Sequence, residues 1–334
     1  MTRKHPEHSE HSEHSELPAR PRPSRRAVLG GAAVTAFAAL AGAAGTGTAR
    51  AGGHRAGWPA EFPLPDGWLP EGITIGARPY AYLGSRANGA IYRADLRTGQ
   101  GRVFHEGAPG LASIGLKLDD RDGLLYVAGG GGGTARLVDA RTGALRATHR
   151  LTADTGHFVN DVALLDDRAW FTDSYDAVLY GVPRGRRGAV RALRLSGDWE
   201  QLPGVINANG IVSTPDGRDV IVVKSTPGEL YRVDLRTGRA TRVALSGAAD
   251  VVNGDGLVRV GRTLYVVQNR RNVVTVFHLD AGATTATLRR SITDPRFDVP
   301  ATAARYRDRL YLVNARYTSP QTPETAFTAV GVPL

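Results

Sequence analysis

The sequence contains no cysteine among its 334 residues. A disulfide scaffold, thiolate metal sites, iron–sulfur clusters and a cysteine nucleophile are therefore excluded. The sequence also lacks a G-x-S-x-G elbow and an H-E-x-x-H motif, which excludes the usual serine hydrolases and zinc proteases. Any catalytic site in this chain must consequently use other oxygen and nitrogen groups.

Lysine is also scarce, although the chain is basic. The formal net charge is +10, yet the only lysines are Lys4, Lys117 and Lys224. The arginines are scattered through turns, and no basic segment rich in aromatic residues accompanies them. Because nucleic-acid-binding proteins usually concentrate positive charge on one face, we expect no nucleic-acid partner.

The N-terminal segment has the features of an export signal. The pair Arg25-Arg26 precedes a run rich in Ala, Gly and Val over residues 27–44, and Ala49-Arg50-Ala51 follows. A basic region, an apolar stretch and a small-residue cleavage site in this order predict a cleaved signal peptide of the twin-arginine type over residues 1–51. An uncleaved membrane anchor is the alternative, but so much Ala, Gly and Thr makes a poor spanning helix.

Cleavage of this segment would determine where the protein works. We expect a mature chain that begins near Gly52 and is secreted or otherwise extracytoplasmic, with no stable membrane insertion after cleavage. Residues 52–61 are then a linker, and the rest of the chain is long enough to bury a core without disulfides.

Short strand-like runs recur at a nearly constant interval after the linker. Consecutive markers lie 44, 45, 51, 43 and 46 residues apart. The marker residues are Tyr82, Tyr126, Phe171, Val222, Tyr265 and Tyr311. Four short strands in about 45 residues are typical of one propeller blade, whereas β-sandwiches do not repeat at this length. The sequence therefore predicts an all-β fold, a six-bladed β-propeller over residues 62–334 with a central channel.

The expected hairpin turns share an Asp-x-Arg-Thr-Gly pattern. It occurs over residues 95–99, 139–143 and 234–238. Each run ends in glycine, which we expect at a position that requires positive φ. The C-terminal run over residues 326–332 is expected to supply a strand that closes the ring.

Oxygen-bearing side chains recur ten to thirteen residues before four of the six markers, where the channel-facing strand of each blade should begin. They are Glu71, Asn160, Asn209 and Asp255. Two carboxylates and two amide oxygens on one axis form a hard, all-oxygen metal site. The alternative is that Asn209-Gly210 and Asp255-Gly256 merely form turns. These pairs begin apolar runs instead of separating them, which favours the metal site, and Asp161 is expected to orient Asn160.

With these four residues in register, the chain resembles the regucalcin/gluconolactonase family of six-bladed propellers, also known as senescence marker proteins. That group shares its ring and metal site with the squid-type diisopropylfluorophosphatase and the paraoxonases. The resemblance implies a catalytic Ca²⁺, or another divalent cation, bound by Glu71, Asn160, Asn209 and Asp255. It further implies that Asp255 acts as nucleophile or base and that the substrate is a small lactone or related ester.

Other features keep the substrate class open. Asn160-Asp161 followed by residues 171–174, Phe-Thr-Asp-Ser, resembles strictosidine synthase-like propellers. A phosphotriesterase-like enzyme and a non-catalytic exported propeller whose metal only joins the blades are further alternatives. His157 is either a channel histidine or, as we favour, a turn residue. Lys117 and Lys224 either contact an anionic substrate or lie on the surface.

We expect an exported, monomeric, calcium-dependent hydrolase.

Overall fold

The computed structural model describes residues 57–152, 155–185 and 188–334. The predicted signal peptide over residues 1–51 lies outside this part of the chain, as does the start of the predicted linker. Within it, the strands form six sheets, each with four antiparallel strands, and two of the sheets have a fifth strand. The predicted six-bladed β-propeller is thereby confirmed. No helix in the described part is long and apolar enough to cross a membrane.

The first three blades contain four strands each, in chain order from the channel outward. Blade 1 contains Pro70–Ile75, Tyr80–Ser85, Ile91–Asp95 and Gly101–His105. Blade 2 contains Leu116–Asp119, Leu124–Ala128, Thr134–Asp139 and Leu145–Arg150. Blade 3 contains Val159–Leu165, Arg168–Asp173, Val178–Pro183 and Arg191–Arg194.

Blades 4 and 5 each add a short parallel strand at the outer edge. Blade 4 contains Ala208–Ser213, Val220–Lys224, Glu229–Val233 and Arg239–Arg242, with Ser196–Gly197 beside the last. Blade 5 contains Gly254–Val260, Thr263–Gln268, the 3-10 helix Asn269–Arg271, Val273–Leu279 and Thr285–Ile292, with Ala244–Ser246 beside the last. Blade 6 contains Pro300–Tyr306, Arg309–Asn314, Phe327–Pro333 and, at its outer edge, Glu61–Leu64.

Blade 6 therefore joins both ends of the ring. Strand Glu61–Leu64 pairs antiparallel with Phe327–Pro333, so that Phe62 lies opposite Ala329. The expectation that the C-terminal run closes the ring is confirmed, and the first strand begins at the end of the predicted linker. Pairing of the two ends within one blade joins the last blade to the start of the chain and so closes the ring.

The core lies between the blades. Among the described residues, six clusters of buried apolar side chains each span two neighbouring blades. Trp170 of blade 3, for example, is packed in the same cluster as Ile211 and Tyr231 of blade 4. Alternating strands place one set of side chains on each sheet face, and both faces of a blade are covered. Burial of these faces is what rigidly positions the strands around the channel.

The predicted turn glycines adopt the expected backbone conformation. Gly99, Gly143 and Gly238 have φ values of 73°, 78° and 79°. A Cβ atom at Gly143 would also overlap the carbonyl oxygen of Phe104 in the preceding blade. These positions therefore require glycine for two reasons, the left-handed conformation and the close approach of a neighbouring blade.

Candidate metal centre

A β-bulge begins the innermost strand of each blade that carries a predicted oxygen donor. The pairing register with the next strand shifts between Pro70 and Ile73 in blade 1 and between Val159 and Val162 in blade 3. The same shift occurs across Asn209 in blade 4 and across Asp255 in blade 5. Bulges redirect side chains and often lie beside functional sites. The Asn-Gly and Asp-Gly pairs thus lie within strands, and the turn interpretation is wrong for them.

The glycines after the donors allow the innermost strands to approach one another. A Cβ atom at Gly72 would overlap the carbonyl oxygen of Ile114 in blade 2, and one at Gly210 would overlap that of Asp255 in blade 5. At Gly256 the overlap would be with Thr302 of blade 6. These glycines have no positive φ, so close packing around the axis is the reason for them.

All four predicted ligands line one cavity of about 430 Å³ at one mouth of the channel. Their exposed fractions are only 6% for Glu71, 4% for Asn160, 7% for Asn209 and 3% for Asp255. The cavity is completed by other side chains, including Arg86, Phe158, Asn269, Arg270 and Tyr317. The structure thus brings together, from four blades, the residues that the sequence indicated.

Two serines hold the amide side chains of Asn160 and Asn209. Ser174 accepts a hydrogen bond from Nδ2 of Asn160 at 2.9 Å and donates its own to the carbonyl oxygen of Ala208 at 2.7 Å. In the next blade, Ser225 accepts from Nδ2 of Asn209 at 3.1 Å and donates to the carbonyl oxygen of Gly254. Holding Nδ2 determines where Oδ1 lies. Sequence analysis missed both roles, although each serine follows the second strand of its blade.

The Oδ1 atom of Asn160 is buried and has no hydrogen-bond partner among the described residues. Leaving a buried carbonyl oxygen without a partner is costly, and such an atom in a native protein calls for an explanation. A cation bound by this oxygen would supply the missing partner. The orphaned oxygen is therefore a specific observation in favour of a metal.

The pKa values of the two carboxyl groups, Glu71 and Asp255, are both raised. Burial raises the pKa of Asp255 to about 7, with Asp161 adding to the effect and a hydrogen bond from Asn269 at 2.7 Å opposing it. Burial also raises the pKa of Glu71 well above its usual range, and Asp255 and Asp161 raise it further. A cation bound between the two carboxylates would offset the cost of burying their charges and their mutual repulsion. The donors therefore fit a hard divalent cation such as Ca²⁺, which prefers oxygen ligands.

This site differs from one built of acidic and histidine clusters. The described part of the chain has no group of three or more His, Asp or Glu side chains placed to hold a metal. Two carboxylates and two amides supply the oxygens instead. The two carboxylates together would carry the negative charge that balances a divalent cation.

Asp161 has a different role from the one expected of it. Its carboxylate accepts hydrogen bonds from the backbone N–H groups of Val162 at 2.8 Å and Ile211 at 3.3 Å. It therefore ties the innermost strands of blades 3 and 4 together. The expectation that Asp161 orients Asn160 is wrong, because Ser174 holds that amide.

His157 does not line the cavity, whereas its neighbour Phe158 does. The Nδ1 atom of His157 lies 2.7 Å from Oδ2 of the buried Asp173. Asp173 also accepts hydrogen bonds from the backbone N–H groups of Phe158, Tyr175 and Asp176. His157 is therefore not a residue of the channel cavity, and it lies before the strand Val159–Leu165 as a partner of Asp173 and not in a turn.

The two internal lysines lie away from the four oxygen donors. Lys224 is buried, and its Nζ donates to the carbonyl oxygen of Glu200 at 2.6 Å and lies 5.7 Å from the ring centroid of Trp199. Lys117 lines a second cavity of about 280 Å³, which is formed by the ends of all six innermost strands. Neither lysine lines the cavity of Asp255, and the alternative of a surface position is wrong for Lys224, which is buried.

Fold and site together define the class: a six-bladed β-propeller with a buried, oxygen-lined site at one mouth of its channel. No family model matches the sequence, and no curated protein is significantly similar to it. Three of the solved structures with a similar fold are informative. An allergen of Malassezia sympodialis, Mala s 1, has 15% identity over 82% of this chain and 96% of its own, with a TM-score of 0.62.

The other two belong to the proteins that the sequence resembles. A regucalcin from Agrobacterium tumefaciens, described as calcium-binding, has 20% identity, covers 83% of this chain and 95% of its own, and has a TM-score of 0.59. A gluconolactonase from Xanthomonas campestris has 17% identity, covers 81% of this chain and 88% of its own, and has a TM-score of 0.58. The resemblance is thus confirmed at the level of the fold.

Proposed function

We propose that this chain is an exported calcium-dependent hydrolase that opens a lactone or related ester at the channel mouth. The observation that carries the proposal is the buried convergence of Glu71 and Asp255 beside the unpartnered Oδ1 of Asn160. Buried carboxyl groups with raised pKa values in a cleft are typical of functional sites. The shared fold with a calcium-binding regucalcin and a gluconolactonase supports the same interpretation.

Glu71, Asn160, Asn209 and Asp255 would hold the cation. When bound, Ca²⁺ supplies a Lewis acid that polarises the substrate carbonyl. Ser174 and Ser225 hold Nδ2 of Asn160 and Asn209, and Glu71 would contribute negative charge to balance the cation. These groups are positioned by blades with rigid interfaces, so little reorganisation is needed when the substrate arrives.

Asp255 is the residue to which we assign the bond-breaking role. As a base, its carboxylate takes a proton from the water that attacks the carbonyl carbon, and the ring oxygen receives that proton when the ester bond breaks. As a nucleophile, the carboxylate attacks the carbonyl carbon, the ring C–O bond breaks and the ring oxygen takes a proton from water, and a water molecule then hydrolyses the mixed anhydride and restores the carboxylate. Nδ2 of Asn269 donates to Oδ2 of this carboxylate, and the side chain of Asn209 also favours its ionised form by lowering its pKa.

The test is acid release from a panel of sugar and small aliphatic lactones, followed in a pH-stat before chelation, after chelation and after calcium is added back. We expect activity to disappear with chelation and to return with calcium. Hydrolysis of organophosphate esters but not lactones would favour the phosphotriesterase-like alternative. A calcium-dependent rise in melting temperature without turnover of any substrate would favour a non-catalytic propeller.

Export has its own test, because it depends on a different part of the sequence. Replacing both Arg25 and Arg26 by lysine should retain the protein inside a bacterial host that has the twin-arginine route. Cell fractionation measures the distribution. Undiminished export of the double variant would contradict this part of the proposal without affecting the channel site.

A further inference from the structure

Two arginines line the cavity together with the proposed ligands, and each lies within two residues of the end of the second strand of its blade. Arg86 directly follows the second strand of blade 1, which ends at Ser85. Arg270 lies in the 3-10 helix Asn269–Arg271, directly after the second strand of blade 5. Blades 1 and 5 are also the blades that supply Glu71 and Asp255. Each carboxylate ligand is therefore accompanied by a guanidinium group on the same blade.

Contacts with blade 6 hold Arg86 in place. Its Nη2 donates to Oε1 of Gln321 at 2.7 Å, and its Cζ lies 4.9 Å from the ring centroid of Tyr317. Its Nε is buried and has no hydrogen-bond partner among the described residues. A guanidinium group that is stacked and held on one side presents its remaining donors in a defined direction. Arg86 thus combines a fixed position with an unused donor.

Neither guanidinium group is neutralised by an ion pair. Of the twelve ion pairs among the described residues, none includes Arg86 or Arg270. The acidic side chains that line the cavity are Glu71 and Asp255. A divalent cation bound to these two carboxylates would cancel their charge. The positive charges of both arginines would then remain without a counter-charge in the cavity.

We infer that the site selects substrates that carry a carboxylate, which Arg86 and Arg270 bind while the lactone or ester group lies at the oxygen donors. Arginine is well suited to this task because its planar fork matches the geometry of a carboxylate. The position of the ester rests on the proposed function. The carboxylate-binding role of the two arginines rests on the cation of that proposal but on no catalytic step, because without a cation Arg86 already partly offsets the rise in the pKa of Glu71 and Asp255.

The first experiment compares two substrates that differ only in charge, a γ-lactone with a carboxylate substituent and the same lactone as its primary amide. We expect the wild-type protein to prefer the carboxylate, and the ratio of the two kcat/KM values to fall about 10- to 100-fold in Arg86→Gln. Arg270→Gln should lower the ratio less, because Arg270 is more exposed. Equal turnover of both lactones by the wild type would overturn the inference.

Arg305→Gln is the matched control, since it removes the same charge from the opposite mouth of the channel. We expect it to leave the preference unchanged. An equal fall of the ratio in Arg305→Gln would show that overall charge, not binding at Arg86 and Arg270, produces the preference, and would also overturn the inference.

A second experiment needs no turnover. Binding of benzoate and of benzamide to the protein with excess calcium is measured by calorimetry, with the wild type and the Arg86→Gln/Arg270→Gln double variant. We expect the wild type to bind benzoate about tenfold more tightly than benzamide. The double variant should show no such preference. If this result accompanies a failure to cleave any lactone, the carboxylate site stands and the hydrolase proposal fails. If calcium-dependent hydrolysis occurs without a benzoate preference, the hydrolase stands and this inference fails.

Discussion

The two mouths of the channel are built from the same six strands but differ in the charged groups that they bury. At one mouth, bulges at the strand beginnings place Glu71 and Asp255 in a buried cavity. At the other, the strand ends contribute Lys117, Arg259 and Arg305. Here Arg259 donates to the carbonyl oxygen of Ser213 at 2.7 Å.

The two mouths differ more in how deeply their charged groups are buried than in the sign of the charge. At the second mouth, partial burial lowers the pKa of Arg259, but its guanidinium group donates to the carbonyl oxygens of Ser213 and Gly261, so its charge keeps hydrogen-bond partners. The carboxyl groups of the first mouth are buried against each other, and their pKa values are raised in consequence. Only the first mouth therefore has a strong thermodynamic reason to bind a cation, and the following predictions test that contrast.

The largest effect is expected from Asp255→Asn. The amide keeps an oxygen for the cation but cannot accept a proton or attack a carbonyl, so kcat for lactone hydrolysis should fall about 100-fold or more. Calcium-saturated kinetics measure it, and calorimetry checks that calcium still binds. Ser213→Ala, at the opposite mouth, is the control and should keep wild-type kcat. Full activity of calcium-bound Asp255→Asn would refute the assigned role.

The next largest effect is expected on stability, from Gly210→Ala. The added Cβ would overlap the backbone of Asp255 and Leu257, so we expect a loss of about 2–3 kcal/mol in the free energy of unfolding. Gly282→Ala is the control, because its Cβ would meet only ordinary contacts at 3.5 Å. Urea unfolding followed by circular dichroism gives both values. Equal stability of the two variants would argue against close packing of the innermost strands at the bulges.

A smaller effect is expected from Ser174→Ala. Removal of the hydroxyl releases Nδ2 of Asn160, and its Oδ1 is then no longer held in one direction. We expect the dissociation constant for calcium to rise about tenfold, because groups that orient metal ligands contribute on this scale. Ser196→Ala, on the outer edge of blade 4, is the control. Calcium titration by calorimetry would contradict the orienting role if the two variants bound alike.

The smallest effect is a pH dependence of calcium stabilisation. The folded-state pKa of Asp255 is raised to about 7, above its unfolded value near 4, and that of Glu71 is raised as well. The contribution of these groups to stability is full below about pH 4 and is lost as pH rises through the folded pKa. The free energy of unfolding of the metal-free protein should therefore fall as the pH rises between about 4 and 7. Calcium competes with protons for the same carboxylates in this range.

The measurement for this contrast is the rise in melting temperature on adding calcium, at pH 5 and at pH 7.5. We expect a rise several degrees larger at pH 7.5. A double variant of Glu71 and Asp255 to their amides should lose most of the difference. The same increment at both pH values in the wild type would mean that calcium acts elsewhere on the protein.

Much of the fold was predictable because its signals are local. The spacing of markers such as Tyr126 and Phe171 follows from the length of one blade, and Gly143 marks a turn whose conformation disfavours other residues. The donors were identifiable for the same reason, since each opens an apolar run. Their use as metal ligands remains a prediction.

Other parts of the site could not be predicted from neighbouring residues. The hydrogen bond between Arg86 and Gln321 joins residues 235 positions apart, and it exists because blade 6 closes against blade 1. The bond from Ile211 to Asp161 likewise depends on how two blades pack. The residues next to Asp161 in the sequence do not indicate that its carboxylate bonds to blade 4 and not to Asn160. That choice depends on how the blades pack in the ring.

The sequence by itself determined the repeat, the turns and which blades carry oxygen donors, because backbone conformation and strand alternation depend on residues close in the chain. Only the tertiary structure decided that four donors from four blades share one buried cavity, that serines direct the amides, and that Arg86 and Arg270 lie beside the carboxylates. Those relations arise from ring closure, which brings distant residues together and removes water from between them.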